Sequence, residues 1–279
     1  MYIQCEWGVL MEKEILTMEE AAELFGVSVK TFIKLLKEEK VPARKIGREW
    51  RFSRKALIDW LSVGDSQDYS ASEGEVKDFF NDLAPKWEEF SKNYYDESIK
   101  EKLIEMNIID SSMSVVDLGS GDGYISREVS KIAKKVIAVD ISAEMLKELR
   151  KKALEGGITN IETVESDGLA VPVKDKFADV VCANMYLHHI EEPELAIREM
   201  HRITKPGGRV FLADYNEHSD VELKEKMHDI WQGFKESDLK NWFKNAGFKK
   251  VKLEKMIEKP KKSDRMGVSV GVFILTAER

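Results

Sequence analysis

A chain of 279 residues is long enough for two domains, and 43% apolar against 34% charged residues excludes a disordered polymer. The formal net charge of −7 argues against a nucleic-acid coat or a membrane-surface protein as the character of the whole molecule. Only Cys5 and Cys182 occur, which excludes a disulfide framework or a cysteine metal cluster and points to a reducing cytoplasm. No stretch approaches the ~18 apolar residues of a membrane span, so no membrane association is expected. Residues 1–10 fit no pattern, and the first domain is expected to begin at Met11.

Thr17-Met18-Glu19-Glu20 has the spacing of a capping box and opens a helix carrying Ala21, Ala22, Leu24 and Phe25 on its apolar side. Gly26 ends that helix, and Ser28 can cap a second one with Phe32, Leu35 and Leu36 inward and Lys30, Thr31, Lys34 and Lys37 outward. Residues 43–52 then alternate about a turn at Gly47, as a two-stranded wing does, and Ser53 can cap a third helix with Leu57, Trp60 and Leu61. Residues 28–56 hold ten Lys/Arg against three Glu, a strongly basic segment in an acidic protein.

These blocks resemble the excisionase-type winged helix-turn-helix, related to the DNA-binding domain of mercury-resistance-type regulators, over residues 14–62. The resemblance rests on Leu16-Thr17-x-Glu19-Glu20-Ala21-Ala22-x-Leu24, Gly26-Val27-Ser28-x-x-Thr31, Lys45-Ile46-Gly47-Arg48-x-Trp50-Arg51 and Leu57-x-x-Trp60-Leu61. It implies double-stranded DNA as a partner. The second helix, with Ser28, Lys30, Thr31 and Lys34, would enter a major groove, and Arg48 and Arg51 on the wing would touch backbone or minor groove. A protein-interaction module that has kept the fold without DNA binding is the other reading.

Residues 63–74 are small and polar without an apolar period, as expected of a linker. Helical spacing returns over residues 75–110, where Phe79, Phe80, Leu83, Trp87 and Phe90 make an apolar face. Ser114–Leu118 then reads as a strand running into Gly119-Ser120-Gly121-Asp122-Gly123, a loop that permits close backbone approach to a ligand. A dinucleotide fingerprint would need glycine where Tyr124 stands, so the spacing is that of another cofactor loop, with Asp117 two residues before the first glycine. A second strand ends at Asp140, the position at which a carboxylate accepts ribose hydroxyls in doubly wound folds. Strands and helices alternate onward through residues 161–213, which predicts a parallel sheet.

Residues 75–279 resemble class I S-adenosylmethionine-dependent methyltransferases, particularly the small-molecule group of quinone biosynthesis. The blocks are Asp117-Leu118-Gly119-Ser120-Gly121-Asp122-Gly123, Val139-Asp140-Ile141-Ser142-x-x-Met145-Leu146, Asp167-Gly168, Leu187-His188-His189 and Arg202-x-x-Lys205-Pro206-Gly207-Gly208. The implied fold is a Rossmann-like seven-stranded α/β sheet with an antiparallel last strand, preceded by the winged helix-turn-helix. The implied cofactor is S-adenosyl-L-methionine. Gly119, Gly121 and Gly123 would run under its methionine part, and Asp140 would bind its ribose. Ile141 and Met145 would flank adenine, the Asp167-Gly168 turn would meet the adenine amino group, and the Asn184 backbone would hold the ammonium. Trp87 departs from the Tyr-Asp that relatives often carry at its place.

Methyl transfer from a sulfonium needs alignment and desolvation, and a base only when the acceptor must lose a proton. His188 is the candidate base at the acceptor lip; His189, Tyr186, Asp214 and His218 are further groups for that mouth, each equally readable as a loop-stabilising hydrogen bond. Cys182 reads as a buried hydrophobe. Trp231 to Phe234 and Ser237 to Phe248 read as an aromatic helix ending at Gly247, either packing the core or lending Trp231 or Phe234 to an acceptor pocket. The expected division is therefore residues 11–62, a linker at 63–74, and residues 75–279. The expected function is methylation of a small molecule by a DNA-tethered enzyme; a regulator sensing S-adenosylmethionine without turnover is the alternative, and no metal is expected. The helix-turn-helix resemblance leaves a homodimer open.

Overall fold

A computed structural model describes residues 2–4, 10–38, 41–47, 49–63, 73–91, 97–256 and 270–279. Cys5, Arg48 and the greater part of the expected linker, residues 64–72, lie outside the described residues. The chain forms two compact units, Met1–Tyr69 and Ser70–Arg279.

In the first unit β1 (Tyr2–Gln4) pairs antiparallel with β2 (Leu10–Glu12), a hairpin in the stretch that sequence patterning leaves blank. Strand β3 (Ile15–Leu16) leads into α1 (Met18–Leu24), whose entry is a complete capping box. The Glu20 N–H donates to Thr17 Oγ1 at 3.3 Å while the Thr17 N–H donates to Glu20 Oε2 at 2.9 Å. Helix α2 (Val29–Glu38) is capped by Ser28, whose Oγ accepts from the Thr31 N–H at 3.1 Å. The wing is β4 (Arg44–Ile46) and β5 (Glu49–Ser53), followed by α3 (Arg54–Val63), where Ser53 Oγ accepts from the Ala56 N–H. Strand β3 adds to β5, giving the order β3-β5-β4. Two residues are too short to show alternation, so this third strand has no sequence signal. Leu16, Ala21, Ala22, Phe32, Phe52 and Leu57 are the buried centre, with the Phe32 ring edge-on to Phe52 at 5.2 Å.

The second unit opens with α4 (Glu73–Leu83), a 3-10 turn at Ala84–Lys86, α5 (Trp87–Ser91) and α6 (Ser98–Glu105). Its sheet has β6 (Ser114–Leu118), β7 (Lys135–Asp140), β8 (Ile161–Glu165), β9 (Ala178–Asn184), β10 (Thr204–Tyr215), β11 (Lys249–Lys255) and β12 (Val272–Glu278). Their order is β11-β12-β10-β9-β6-β7-β8, with β12 antiparallel to both neighbours and the five strands from β10 to β8 parallel. The near-continuous apolar runs of β6, β7 and β9 are those of strands covered on both faces. The cover includes α7 (Ser126–Val129), α8 (Ala143–Glu155), α9 (Pro193–Ile203), α10 (Val221–Met227) and α11 (Glu236–Asn245). Strand order reverses between β6 and β9, which opens a crevice at their carboxyl ends. Cys182 is fully buried in β9, in register with Asp117 on one side and Phe211 on the other.

One expected element is shorter than the aromatic pattern implies. Helix α11 begins at Glu236; Trp231 to Phe234 lie in the preceding loop, where the Phe234 N–H donates to the Tyr215 carbonyl at 3.0 Å. Gly233 has φ +70°, and a Cβ there would come within 2.2 Å of the Asn216 carbonyl oxygen, so this turn could not continue a helix. Among the described residues no helix is long and apolar enough to cross a membrane.

Candidate functional site

The crevice is a cleft of about 1050 Å³, its open mouth included. Its floor is the loop after β6, its sides are the ends of β7 and β9 with the turns that follow them, and Val76, Phe80, Trp87 and Met227 close it from α4, α5 and α10. Asp117, Gly119, Gly121, Asp140, Ile141, Met145, Asp167, Gly168, Asn184 and His188 all line it; of the residues expected to hold the cofactor, Gly123 alone does not. A Cβ at Gly123 would instead meet the Leu149 side chain at 2.9 Å, so this glycine lets the loop pack onto α8.

Asp140 organises the floor. Its Oδ2 accepts the Gly121 N–H at 2.7 Å and its Oδ1 the Ser142 N–H at 2.9 Å, which leaves lone pairs facing the cleft. Burial pushes its carboxyl up to about 6 against the pull of those N–H groups. Asp117 lies deeper, where its Oδ2 accepts the Ser126 hydroxyl at 2.6 Å and burial raises it to about 7. Asp122 pairs with Lys152 at 2.6 Å, and Lys152 also reaches Glu88, so the glycine loop is tied to both α8 and α5. Ser142 caps α8 through the Met145 N–H and holds Asn81 of α4 at 2.8 Å.

Two buried polar atoms in the cleft wall, Ser120 Oγ and Asn184 Oδ1, have no hydrogen-bond partner. Buried orphans of this kind in a concave site are groups prepared for a ligand. Asp167 Oδ1 accepts the Leu169 N–H at 2.8 Å, forming the turn that presents Gly168. Tyr186 spans the space between these loops: its ring lies on Gly119 and its hydroxyl beside Gly168, 3.4 Å from the Asp167 carbonyl.

His188 and His189 occupy a 3-10 turn, Leu187–His189. His188 Nδ1 is 2.7 Å from Asp214 Oδ1, and its Nε2 is 3.5 Å from Asp229 Oδ1. Burial alone would push this imidazole down, but the charges of Asp214 and Asp229 outweigh it and hold His188 at about 9. Both ring nitrogens of His188 thus face carboxylates, which fix the orientation of the imidazole. Burial and the neighbouring His188 push His189 down instead. Asp214 is fully buried and engaged with His188, Leu187 and Tyr215; His218 Nδ1 accepts the Asp220 N–H. Neither lines the cleft, nor do Trp231 and Phe234. Trp231 donates Nε1–H to the Ile190 carbonyl at 2.9 Å and both rings join the sheet's apolar core, which removes them from an acceptor pocket.

Met227 and Val76 carry no local signal in the sequence, because only the folding of α4 and α10 over the sheet brings them to the cleft, and neither does Asp229, which lies against His188 and His189 just after α10. Trp87 carries one, being part of the apolar face read from residues 75–110, and its Nε1 lies 3.8 Å from the place of a Gly121 Cβ.

The seven-stranded order, with its antiparallel β12, and the glycine loop at the switch point meet their match in known proteins. A model described as a methyltransferase domain matches residues 116–212, and one described as a helix-turn-helix domain matches residues 15–62. The second unit has the class I methyltransferase fold, and a helix-turn-helix domain precedes it. The ubiquinone biosynthesis O-methyltransferase of Xanthomonas euvesicatoria is 29% identical to it over 160 residues, 52% of this chain and 66% of that one. The ubiquinone/menaquinone biosynthesis C-methyltransferase of Pseudomonas paraeruginosa is 32% identical over 132 residues, 46% of this chain and 51% of that one. The matches thus span less than two thirds of these relatives' length. Among solved structures, the [4+2]-cyclase SpnF superposes with a TM-score of 0.62 at 17% identity, over 75% of this chain and 97% of that one. A SAM-dependent methyltransferase from Aquifex aeolicus gives 0.52 at 20% identity, over 74% and 98%. The methyltransferase domain shares its fold with both.

In the helix-turn-helix domain, Ser28, Lys30, Thr31 and Lys34 are all exposed on α2. The Ser28 and Thr31 hydroxyls are 2.8 Å apart and bonded to one another. Arg51 pairs with Glu49 on its own strand and donates to the Trp50 carbonyl.

Proposed function

We propose that the protein binds S-adenosyl-L-methionine in the cleft and transfers its methyl group to a small molecule, while residues 14–62 bind double-stranded DNA. The observation that carries the cofactor assignment is the pairing of Asp140 with the Gly121 N–H at the floor of a cleft whose wall holds the orphaned Ser120 Oγ and Asn184 Oδ1. Asp140 would accept the ribose hydroxyls, with the Gly119–Gly123 loop beneath the methionine part. Ile141 and Met145 would flank adenine, Asp167 and Gly168 would meet its amino edge, and the Asn184 backbone and Oδ1 suit the ammonium. The cofactor supplies an electrophilic methyl group on sulfur. The chain's own task is to align and dry the reactants, and Phe80, Trp87 and Met227 at the cleft exclude water.

The basic, exposed face of α2 supports DNA as the partner of the first unit, since phosphate neutralisation needs such a face. A homodimer would let two such units read paired half-sites, and the free, buried thiol of Cys182 suits a reducing cytoplasm. One observation favours the second reading, a regulator that senses the cofactor without turnover: His188, the expected base, is engaged by Asp214 and Asp229 at its two ring nitrogens. Calorimetric titration with S-adenosylmethionine and then S-adenosylhomocysteine tests the common ground of both readings. Micromolar binding of both is expected, and binding of neither overturns the cofactor assignment. Methyl incorporation across an acceptor screen then separates enzyme from sensor.

A further inference from the structure

Beside the cleft, which two of them line, three side chains from two distant parts of the chain converge. His188 Nε2 lies 3.5 Å from Asp229 Oδ1, and His189 Nδ1 lies 3.7 Å from the same oxygen. One ligand atom from each of the three lies within 4.8 Å of the others. Ligands held at about 2.1 Å around a tetrahedral ion stand about 3.4 Å apart, so little movement is needed to close these atoms around one ion.

Hydrogen bonding leaves two of these three groups unspent. Both carboxylate oxygens of Asp229 and Nδ1 of His189 have no hydrogen-bond partner, although Asp229 is only 1% exposed. An unsatisfied buried carboxylate is among the costliest arrangements a fold can keep. The outer partners are in place as well. His188 turns its other nitrogen to Asp214 Oδ1 at 2.7 Å, and Asp214 is itself fixed by the Leu187 and Tyr215 N–H groups at 2.9 and 2.7 Å. A carboxylate behind a histidine in this way fixes the proton on the far nitrogen, and an entering metal ion would displace the second proton, which Asp229 favours on Nε2. His189 is oriented by a hydrogen bond to the His228 backbone and by the edge of the Phe80 ring at 5.1 Å.

We propose that His188 Nε2, His189 Nδ1 and an Asp229 carboxylate oxygen bind one divalent transition-metal ion. Two imidazoles and a carboxylate are the donor set of zinc and its borderline neighbours, not of calcium or magnesium. Both histidines line the cleft, so a fourth coordination position opens into it, the pattern of a reactive site and not of a closed structural one. Under the methyl-transfer reading, on which this step rests, that position takes an oxygen donor of the acceptor. Coordination lowers the pKa of an acceptor hydroxyl, whose proton passes to solvent. The oxygen then forms a bond to the methyl carbon as the carbon–sulfur bond breaks, and that electron pair stays on sulfur to leave S-adenosylhomocysteine. Acceptors bearing a phenolic or enolic hydroxyl fit this site.

The test uses the full chain without an affinity tag, stripped by chelator and titrated with Co²⁺, with bound Zn²⁺ measured by elemental analysis. One ion per chain and a visible Co²⁺ band of a four- or five-coordinate site are expected. Asp229→Asn and His189→Asn should each weaken Co²⁺ binding at least tenfold while melting cooperatively and still binding S-adenosylhomocysteine. Absence of the band and of stoichiometric zinc in protein that binds S-adenosylhomocysteine overturns the site, as does unchanged uptake in both variants. Uptake in protein that fails to bind S-adenosylhomocysteine upholds the metal site and removes the cofactor reading.

Discussion

The Tyr186 ring lies so close to Gly119 that a Cβ there would sit 2.7 Å from Tyr186 Cδ2. The same tyrosine touches the other wall of the cleft, where a Cβ at Gly168 would come within 2.1 Å of its hydroxyl. Two glycines at φ +65° and +81° thus make room for one aromatic ring laid across the cleft.

Gly119→Ala should therefore be costly on two counts. The left-handed backbone costs an alanine roughly 1–2 kcal/mol, and the collision with Tyr186 adds about 1–3 kcal/mol. A thermal melt should show the loss. Gly119→Ala should cost less in a Tyr186→Ala background than in the wild type, by that second part; an equal cost in both backgrounds would show that the ring gives way without cost.

Asp140→Ala should weaken S-adenosylhomocysteine binding at least tenfold, about 1.4 kcal/mol, by calorimetry. The wild-type affinity should also depend on pH. Since the empty-site carboxyl sits at about 6, its acceptor form is lost as pH falls through that value, and affinity should decline from pH 7 to pH 5. Affinity that is flat over that range, or unchanged in Asp140→Ala, would remove Asp140 from the ribose role.

Asp117 gives the opposite sign for stability. Its carboxyl is raised from the usual 3.8 to about 7 by burial, so the folded domain prefers it protonated. Its contribution is fully present below about pH 4 and is lost as pH rises through about 7. Asp117→Asn should flatten the decline in denaturant midpoint between pH 5 and pH 8 relative to wild type. An equal slope in both proteins would place the proton linkage elsewhere.

On the DNA-facing unit, Lys30→Glu with Lys34→Glu should abolish retention of duplex DNA in a gel shift and leave S-adenosylhomocysteine binding intact. Replacing the pair with alanine should reduce the slope of log affinity against log salt by about 2, one for each phosphate left without its lysine. Arg51→Ala should cost less, because its guanidinium already pairs with Glu49. Retention unaffected by either lysine change would favour the protein-interaction reading of residues 14–62.

The elements legible in the sequence are those written in neighbouring residues. The capping box at Thr17 and Glu20, the glycine loop after β6 and the acid ending β7 each declare themselves within a few positions, and the cleft is assembled from them. What escapes depends on distance along the chain. Asp229 reaches the histidines only because α10 folds over the sheet, and nothing in His228-Asp229-Ile230 announces it. Strand β3 exists only because β5 offers it an edge. The aromatic run from Trp231 misleads because its ring content mimics helical periodicity, whereas Gly233 needs a turn against the Asn216 carbonyl.

Cys182 sits fully buried between Asp117 and Phe211 in the middle of the sheet, and burial pushes its thiol up. No reagent can reach that sulfur while β6, β9 and β10 stay paired. In a Cys5→Ser background its alkylation becomes a stopwatch for the opening of the whole methyltransferase sheet, running slower whenever a bound ligand holds the sheet shut.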